Sequence, residues 1–378
     1  MLPKPHHRQS ERVALKARFV NGASILMLAP RRIGKTWLMD KVAEDLTEAG
    51  WLCIKIDVQG ARSEDEFLRE LCNEIEKTQA LSARLMTQVI QRFKQATGHV
   101  QDGNLAAAIG RIDPREFLET LVGSLNAEDG NTLILIDELA LFIHEQAKDN
   151  PIGAQSLLYH MRKLRLKFPK VRWFLTGSVG LDVIALRHNM GGALVDYDNF
   201  PIEPFSREAA RSYLEDLCEN GLINPPFTLD DAGFDLLVEE LGWLSPYYLR
   251  QIALQLRPTG PAGSVTNDDI QQAFTKLLSP SQRTHFAVWG EHIDKNFGAV
   301  DTGHLHTILD VACEARDGEI EASFLTRLSH SGQILSQSGL RALLRILESD
   351  GLLHQSDKRW AFRSGLLRRY WKEYMRSD

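Results

Sequence analysis

Ser24-Ile25-Leu26-Met27-Leu28-Ala29-Pro30-Arg31-Arg32-Ile33-Gly34-Lys35-Thr36-Trp37-Leu38-Met39 is the stretch on which the reading of this chain turns. Its first five residues are an apolar run of strand length, and helical text opens at Trp37. The eight residues between follow the template G-x-x-x-x-G-K-[ST], with Ala29 in the place of the first glycine. In such a loop, backbone N–H groups and a helix N-terminus face phosphate oxygens. Gly34 lets the backbone approach closely, Lys35 brings a mobile positive charge to the β/γ phosphates, and the Thr36 hydroxyl suits magnesium. If position 29 requires φ > 0, alanine costs roughly 1 kcal/mol there. The competing reading is a Gly-Lys-Thr that starts a helix by chance; the strand before it and the helix after it oppose that.

Three further apolar runs have strand length: Trp51-Leu52-Cys53-Ile54-Lys55-Ile56-Asp57-Val58, Thr132-Leu133-Ile134-Leu135-Ile136 and Val171-Arg172-Trp173-Phe174-Leu175. Helical periodicity separates the runs, over 36–49, 64–77, 114–125 and 153–167. Alternating strand and helix predicts right-handed βαβ units and a parallel sheet covered on both faces. Residues 78–112 exceed a minimal unit and read as an insertion, part helical and part loop. Near Pro201-Ile202-Glu203-Pro204-Phe205 the texture changes. From Ser206 to about Leu278 it is helical, broken at Asn224-Pro225-Pro226 and over 258–263. Over 281–378, three short helices (305–315, 320–328 and 339–348) precede a small hairpin within 352–362, the order of a winged helix-turn-helix.

Two acids end the third run, Asp137 and Glu138. A magnesium ion on a triphosphate takes a carboxylate nearby, which Asp137 can supply, and Glu138 is placed to act as general base on an attacking water. Alone, Asp-Glu after a strand often only caps the next helix; about one hundred residues after a phosphate loop it points to a magnesium-dependent NTPase. After the fourth run comes Leu175-Thr176-Gly177-Ser178-Val179-Gly180. In a parallel sheet these hydroxyls emerge at the carboxyl edge, so Thr176 or Ser178 can bond the γ-phosphate or the lytic water, or simply cap a helix. It is not a nucleophile elbow, because Thr176 stands where the first glycine of G-x-S-x-G belongs.

Composition limits the alternatives. Forty-four Lys plus Arg against fifty Asp plus Glu give a net charge of −6, which excludes a generally basic surface but allows a local basic patch. No apolar run reaches the roughly 20 residues that cross a bilayer, and Met1 to Arg12 lacks the apolar stretch of a signal peptide. Cys53, Cys72, Cys218 and Cys313 lie far apart without a CxxC pair, and read as reduced thiols of a cytoplasmic protein. His304 and His306 lack an obvious third ligand, so no metal site is expected there.

Taken together, Pro30-Arg31-Arg32-Ile33-Gly34-Lys35-Thr36, Asp137-Glu138 and Leu175-Thr176-Gly177-Ser178 resemble the archaeal-type ATPases of the STAND branch of AAA+ proteins. Arg8-Gln9-Ser10-Glu11 is similar to the R-x-x-E motif that the family carries before its first strand. Gly242-Trp243-Leu244-Ser245-Pro246-Tyr247-Tyr248-Leu249 resembles its lid signature, whose proline lies against the nucleotide base. The resemblance covers most of residues 5–280 and continues more weakly beyond. It implies an α/β P-loop AAA+-like core over 1–204, a helical lid over 205–280 and a winged helix-turn-helix over 281–378. Together these form an ATP-driven switch with a possible homo-oligomer and a regulatory role in defence or DNA transactions. Many members also carry a nuclease-like domain; with Asp378 soon after the wing, that activity is not expected here.

The site expected on this basis has Lys35, Glu138 and Ser178 in catalysis, and Thr36 and Asp137 on Mg2+. ATP or ADP is held by Arg8, Pro30, Arg31, Arg32, Ile33, Gly34, Lys35, Thr36, Trp37 and Pro246. Arg31 and Arg32 either hold phosphate oxygens or contact a neighbouring subunit, or are solvated. Arg162 and Arg165 are either a finger toward a neighbour's γ-phosphate or the charged face of a plain helix. Arg341, Arg345, Lys358, Arg359, Arg363, Arg368, Arg369, Lys372 and Arg376 crowd the last forty residues. Through Arg341, Arg345, Lys358 and Arg359 a winged helix can meet DNA, or it can serve as an internal docking surface instead. The alternatives to a hydrolysing switch are a DNA-binding regulator with little hydrolysis and a protein-interaction switch without nucleic acid.

Overall fold

The computed structural model describes residues 4–77, 91, 94, 95, 109, 113–127, 129–177, 181, 185, 188–282, 284–286, 290, 293 and 299–376. Most of the 78–112 stretch and Ser178 lie outside the described residues. The chain forms two compact units: residues 9–29 with 35–202, and residues 1–8 and 30–34 with 203–378.

The first unit is built on a five-stranded sheet of β1 (Ile25–Leu28), β2 (Leu52–Asp57), β3 (Thr132–Asp137), β4 (Val171–Gly177) and β5 (Asp198–Asn199), in the order β2-β3-β4-β1-β5. Every pairing is parallel. All six residues of β3 are buried, as expected of a central strand covered on both faces. The four strands legible as apolar runs are present. The fifth is two exposed residues pairing with Ile25 and Leu26, too short to carry a pattern.

Helices α1 (Gln9–Val20), α2 (Lys35–Glu48), α3 (Glu64–Lys77), α4 (Pro114–Asn126), α5 (Leu139–Asp149) and α6 (Pro151–Lys167) accompany the sheet. In α3, Phe67, Leu68, Leu71, Cys72 and Ile75 form one buried stripe, with acids in its first turn and Lys77 in its last, as the helix dipole favours. The α4 N-terminus is set by Pro114 and by Asp113, whose carboxylate accepts from the N–H groups of Arg115 and Glu116. Helix α5, separated from β3 by Glu138 alone, is not among the helices expected from the sequence. Gly177, the last residue of β4, has no room for a side chain, because a Cβ there would strike Ala140 of α5.

In the second unit, α7 (Arg207–Glu219), α8 (Asp231–Leu241), α9 (Pro246–Gln255) and α10 (Asn267–Leu277) make the helical stretch. The two proline-marked breaks fall between helices, and the strand-like content is one isolated bridge, Thr228 with Ser264. Then come α11 (Ala299–Glu314), α12 (Glu321–His330) and α13 (Gln337–Ser349), and the hairpin of β7 (Leu353–Ser356) and β8 (Arg359–Phe362). Asp357 and Lys358 at its tip both have positive φ, the geometry of a tight two-residue hairpin turn. A short β6 (Glu319–Ile320) adds to β8, so the wing is a three-stranded sheet rather than a bare hairpin. This is the winged helix-turn-helix expected from the element order. A further helix, α14 (Gly365–Tyr370), follows it.

Candidate nucleotide-phosphate site

Strand register brings the expected groups of the first unit together. Ile136 pairs with Leu175 and Leu28 with Gly177, so Asp137, Thr176 and the start of the loop emerge at one carboxyl edge. The Ala29 N–H continues the ladder to the Gly177 carbonyl at 3.3 Å. Asp137 is 4% exposed, and three donors meet it. The Thr36 hydroxyl donates to Oδ2 at 2.7 Å, the Glu138 N–H to Oδ1 at 3.1 Å, and the Thr176 hydroxyl also to Oδ1. Lys35 is buried, and its Nζ donates to the Ala29 carbonyl at 2.7 Å. Thr36 itself is exposed.

Glu138 has a left-handed backbone (φ 57°), and its side chain makes no cap bond to α5. Its carbonyl instead accepts from Leu141 and Phe142. The bland helix-cap reading of this side chain therefore fails. The Thr176 hydroxyl donates to Asp137 and so positions the carboxylate. The left-handed demand of the loop falls on Arg32 (φ 69°) and Gly34 (φ 99°), and Ala29 has no positive φ. Alanine in the first glycine's place thus carries no left-handed strain.

Residues 30–34 are anchored within the second unit. Arg8, 5% exposed, donates to the carbonyls of Ile33 at 3.1 Å and Glu203 at 2.9 Å, and packs 4.9 Å over the Phe205 ring. The Ser245 hydroxyl donates to the Arg32 carbonyl, and the Arg32 guanidinium lies 3.8 Å over the Tyr247 ring. A Cβ on Gly34 would come within 3.9 Å of Pro246, and one on Gly351 would fall on Pro30. Arg8 and Arg32 are thus tied to scaffold groups. Ser245 and Tyr247 were legible as part of the lid signature but not as anchors of the loop. Trp37 is 39% exposed on α2.

A hydroxyl and a carboxylate are hard oxygen donors suited to Mg2+, which takes its remaining ligands from phosphate and water. Among the described residues no group of three His, Cys, Asp or Glu could hold a metal ion by itself. Arg162 and Arg165 both reach Asp196, at 2.5 and 3.3 Å. Of the basic C-terminal residues, Arg341 pairs with Glu321 at 3.0 Å and Arg376 with Glu314 at 2.8 Å, and Arg369 pairs with Glu240. Arg359 donates to the Gly318 carbonyl at 3.0 Å. Arg345, Lys358 and Lys372 are exposed. The four cysteines are free, and burial pushes the Cys72 thiol up to about 12, far from a reactive thiolate.

No family model matches the sequence, and no curated protein matches it. Solved structures do. A Walker-type ATPase of Pyrococcus abyssi aligns over 98% of this chain and 98% of its own, with a TM-score of 0.66 and 17% identity. The ORC2 protein of Aeropyrum pernix, solved as ADPNP–ADP complexes, aligns over 98% of this chain and 93% of its own, with a TM-score of 0.58 and 15% identity. The likeness is one of fold: an α/β core on a parallel sheet, followed by helices, over nearly the whole of each chain. Among the described residues no helix is long and apolar enough to cross a membrane.

Proposed function

We propose that the chain is a magnesium-dependent ATPase that works as a molecular switch, of the STAND type to which its motifs point, with 1–204 as core, 205–280 as lid and 281–378 as winged helix. The observation that carries this reading is the bond from Thr36 to Asp137, residues 101 apart that meet beside a buried Lys35. In this reading Lys35 neutralises phosphate charge, and the loop amides with Arg31 and Ile33 embrace the phosphates. Thr36 and Asp137 hold magnesium, which when bound shields the phosphate charge. Glu138, at the carboxyl edge beside Asp137, takes a proton from the attacking water. Ser178 stays a candidate for the γ-phosphate, Pro246 for the base, and a regulatory, cytoplasmic role belongs to the same proposal.

The test is steady-state phosphate release and MgATP calorimetry on wild type, Lys35→Ala and Glu138→Gln. Lys35→Ala is expected to weaken nucleotide binding at least tenfold, and Glu138→Gln to keep binding while turnover falls about 100-fold. Equal affinity for MgATP in wild type and Lys35→Ala overturns the reading. Turnover unchanged in Glu138→Gln leaves a nucleotide-dependent regulator with little hydrolysis.

A further inference from the structure

Within the second unit lies a cavity of 450 Å³, walled by the end of α8, the wing and α14. That volume suits a small ligand, since such sites span about 300–1,000 Å³. Four arginines line it. Two are matched by carboxylates, Arg316 with Glu239 at 2.9 Å and Arg369 with Glu240. The other two meet only main-chain carbonyls among the described residues. Arg363 donates to Leu353 and Glu348 at 3.4 Å through Nε and Nη2, and Arg368 donates to Cys313 at 3.2 Å through Nη1. Among the described residues no acceptor meets Nη1 of Arg363 or Nε and Nη2 of Arg368. Burial lowers the pKa of both guanidiniums, and Arg369 and Arg316 repel Arg368 as well. Both nevertheless stay charged at pH 7.

A second, independent feature is Trp243. It lines the cavity, is 3% exposed, and its Nε1 has no hydrogen-bond partner among the described residues. Its contribution to the cavity is therefore ring surface, since the nitrogen itself is sealed within the fold. Arg363 lies 5.8 Å from the Trp243 ring centroid, which places guanidinium and indole together. His354 also lines the space; burial and Arg363 lower its pKa, so its ring adds no charge at pH 7. Among the lining residues four arginines against two glutamates leave two positive charges, which Glu348 and Glu203, acting on Arg363 from outside the lining, reduce. A phosphate monoester carries close to two negative charges at pH 7, whereas a carboxylate carries one.

We propose that this cavity binds a small phosphate monoester, its charged head on Arg363 and Arg368 and its organic part against Trp243 and Phe362. The guanidinium fork matches phosphate oxygens, and the indole supplies apolar ring surface for the organic part. This site is separate from Lys35, and it stands whether or not the nucleotide reading does.

The experiment is calorimetric titration of the full chain with phenyl phosphate, in wild type and in Lys35→Ala to remove the phosphate loop's share. One saturable site is expected in both, with benzoate at least tenfold weaker. Arg363→Gln/Arg368→Gln is expected to weaken phenyl phosphate about 20-fold or more, and Trp243→Phe about threefold. Should the double variant not fold, Arg368→Lys, which keeps the charge and loses the fork, takes its place with an expected loss of about fivefold. No saturable binding, benzoate binding as well as phenyl phosphate, or affinity unchanged in both Trp243→Phe and the arginine variant overturns the proposal.

Discussion

Asp137 is held from three sides: a hydroxyl of the phosphate loop helix, a hydroxyl of β4 and its neighbour's N–H. Only the first was foreseeable from motif spacing, because the Thr176 contact depends on β3 and β4 being neighbours in register. Thr176 is fully buried, so Thr176→Val keeps the shape and removes one donor from a buried carboxylate. We expect a loss of about 1–3 kcal/mol, the worth of one hydrogen bond to a buried charged group, with the Glu138 N–H still on Oδ1. Urea unfolding of the two proteins measures it; a difference under about 0.3 kcal/mol shows that the Thr176 bond carries no weight. Ala29 makes a similar point in the opposite direction. Its departure from the template suggested strain, but the backbone shifts the positive φ to Arg32 and Gly34.

At the level of elements, long periodic segments were legible and short ones were not. The apolar stripe of α3 and the runs of β1 to β4 announce themselves because burial on a fixed face imposes a period. Strands β5 and β6, two residues each, and α14, six residues, are held by neighbours rather than by their own pattern. Caps add local certainty. Helix α10 begins with a capping box: the Thr266 hydroxyl accepts from the Asp269 N–H, while Asp269 accepts from the Thr266 and Thr259 N–H groups. Burial works against the Asp269 charge, but these N–H groups and the Thr259 hydroxyl outweigh it and hold the carboxyl below its usual range. A depressed native pKa stabilises the fold above the unfolded value of about 3.9 and loses that contribution as pH falls through the native value. Asp269→Asn is therefore expected to cost about 1 kcal/mol at pH 7. The gap should close below about pH 4, and unfolding curves at pH 7 and 3 that show the same gap refute the charge argument.

For the whole molecule, a net charge of −6 leaves nucleic acid only a local foothold. Nine basic residues in the last forty suggested a broad patch. The fold draws six of them into internal contacts with carboxylates or carbonyls: Arg341, Arg359, Arg363, Arg368, Arg369 and Arg376. Arg345, Lys358 and Lys372 remain exposed, without an ion-pair partner among the described residues. If the winged helix meets duplex DNA through these three, the plot of log K against log salt should have a slope of about −2 to −3, whereas nine phosphate contacts give about −8. Fluorescence anisotropy across a salt series decides it. A slope near −8 means that the internal pairs open on binding, and no binding at low salt assigns the winged helix to docking.

From its letters alone this chain declares a strand, a phosphate-type loop and a helix, a second strand ending in two acids, and the order of a winged helix, since local geometry and burial periodicity write themselves into neighbouring residues. Which side chains those groups spend on one another was decided only by tertiary structure. Asp137 finds Thr176, Arg8 finds Ile33, and Arg363 with Arg368 turns to a cavity, because each partner is brought up by a different element. Strand order and helix packing are long-range choices of the whole core, and no local stretch of sequence encodes them.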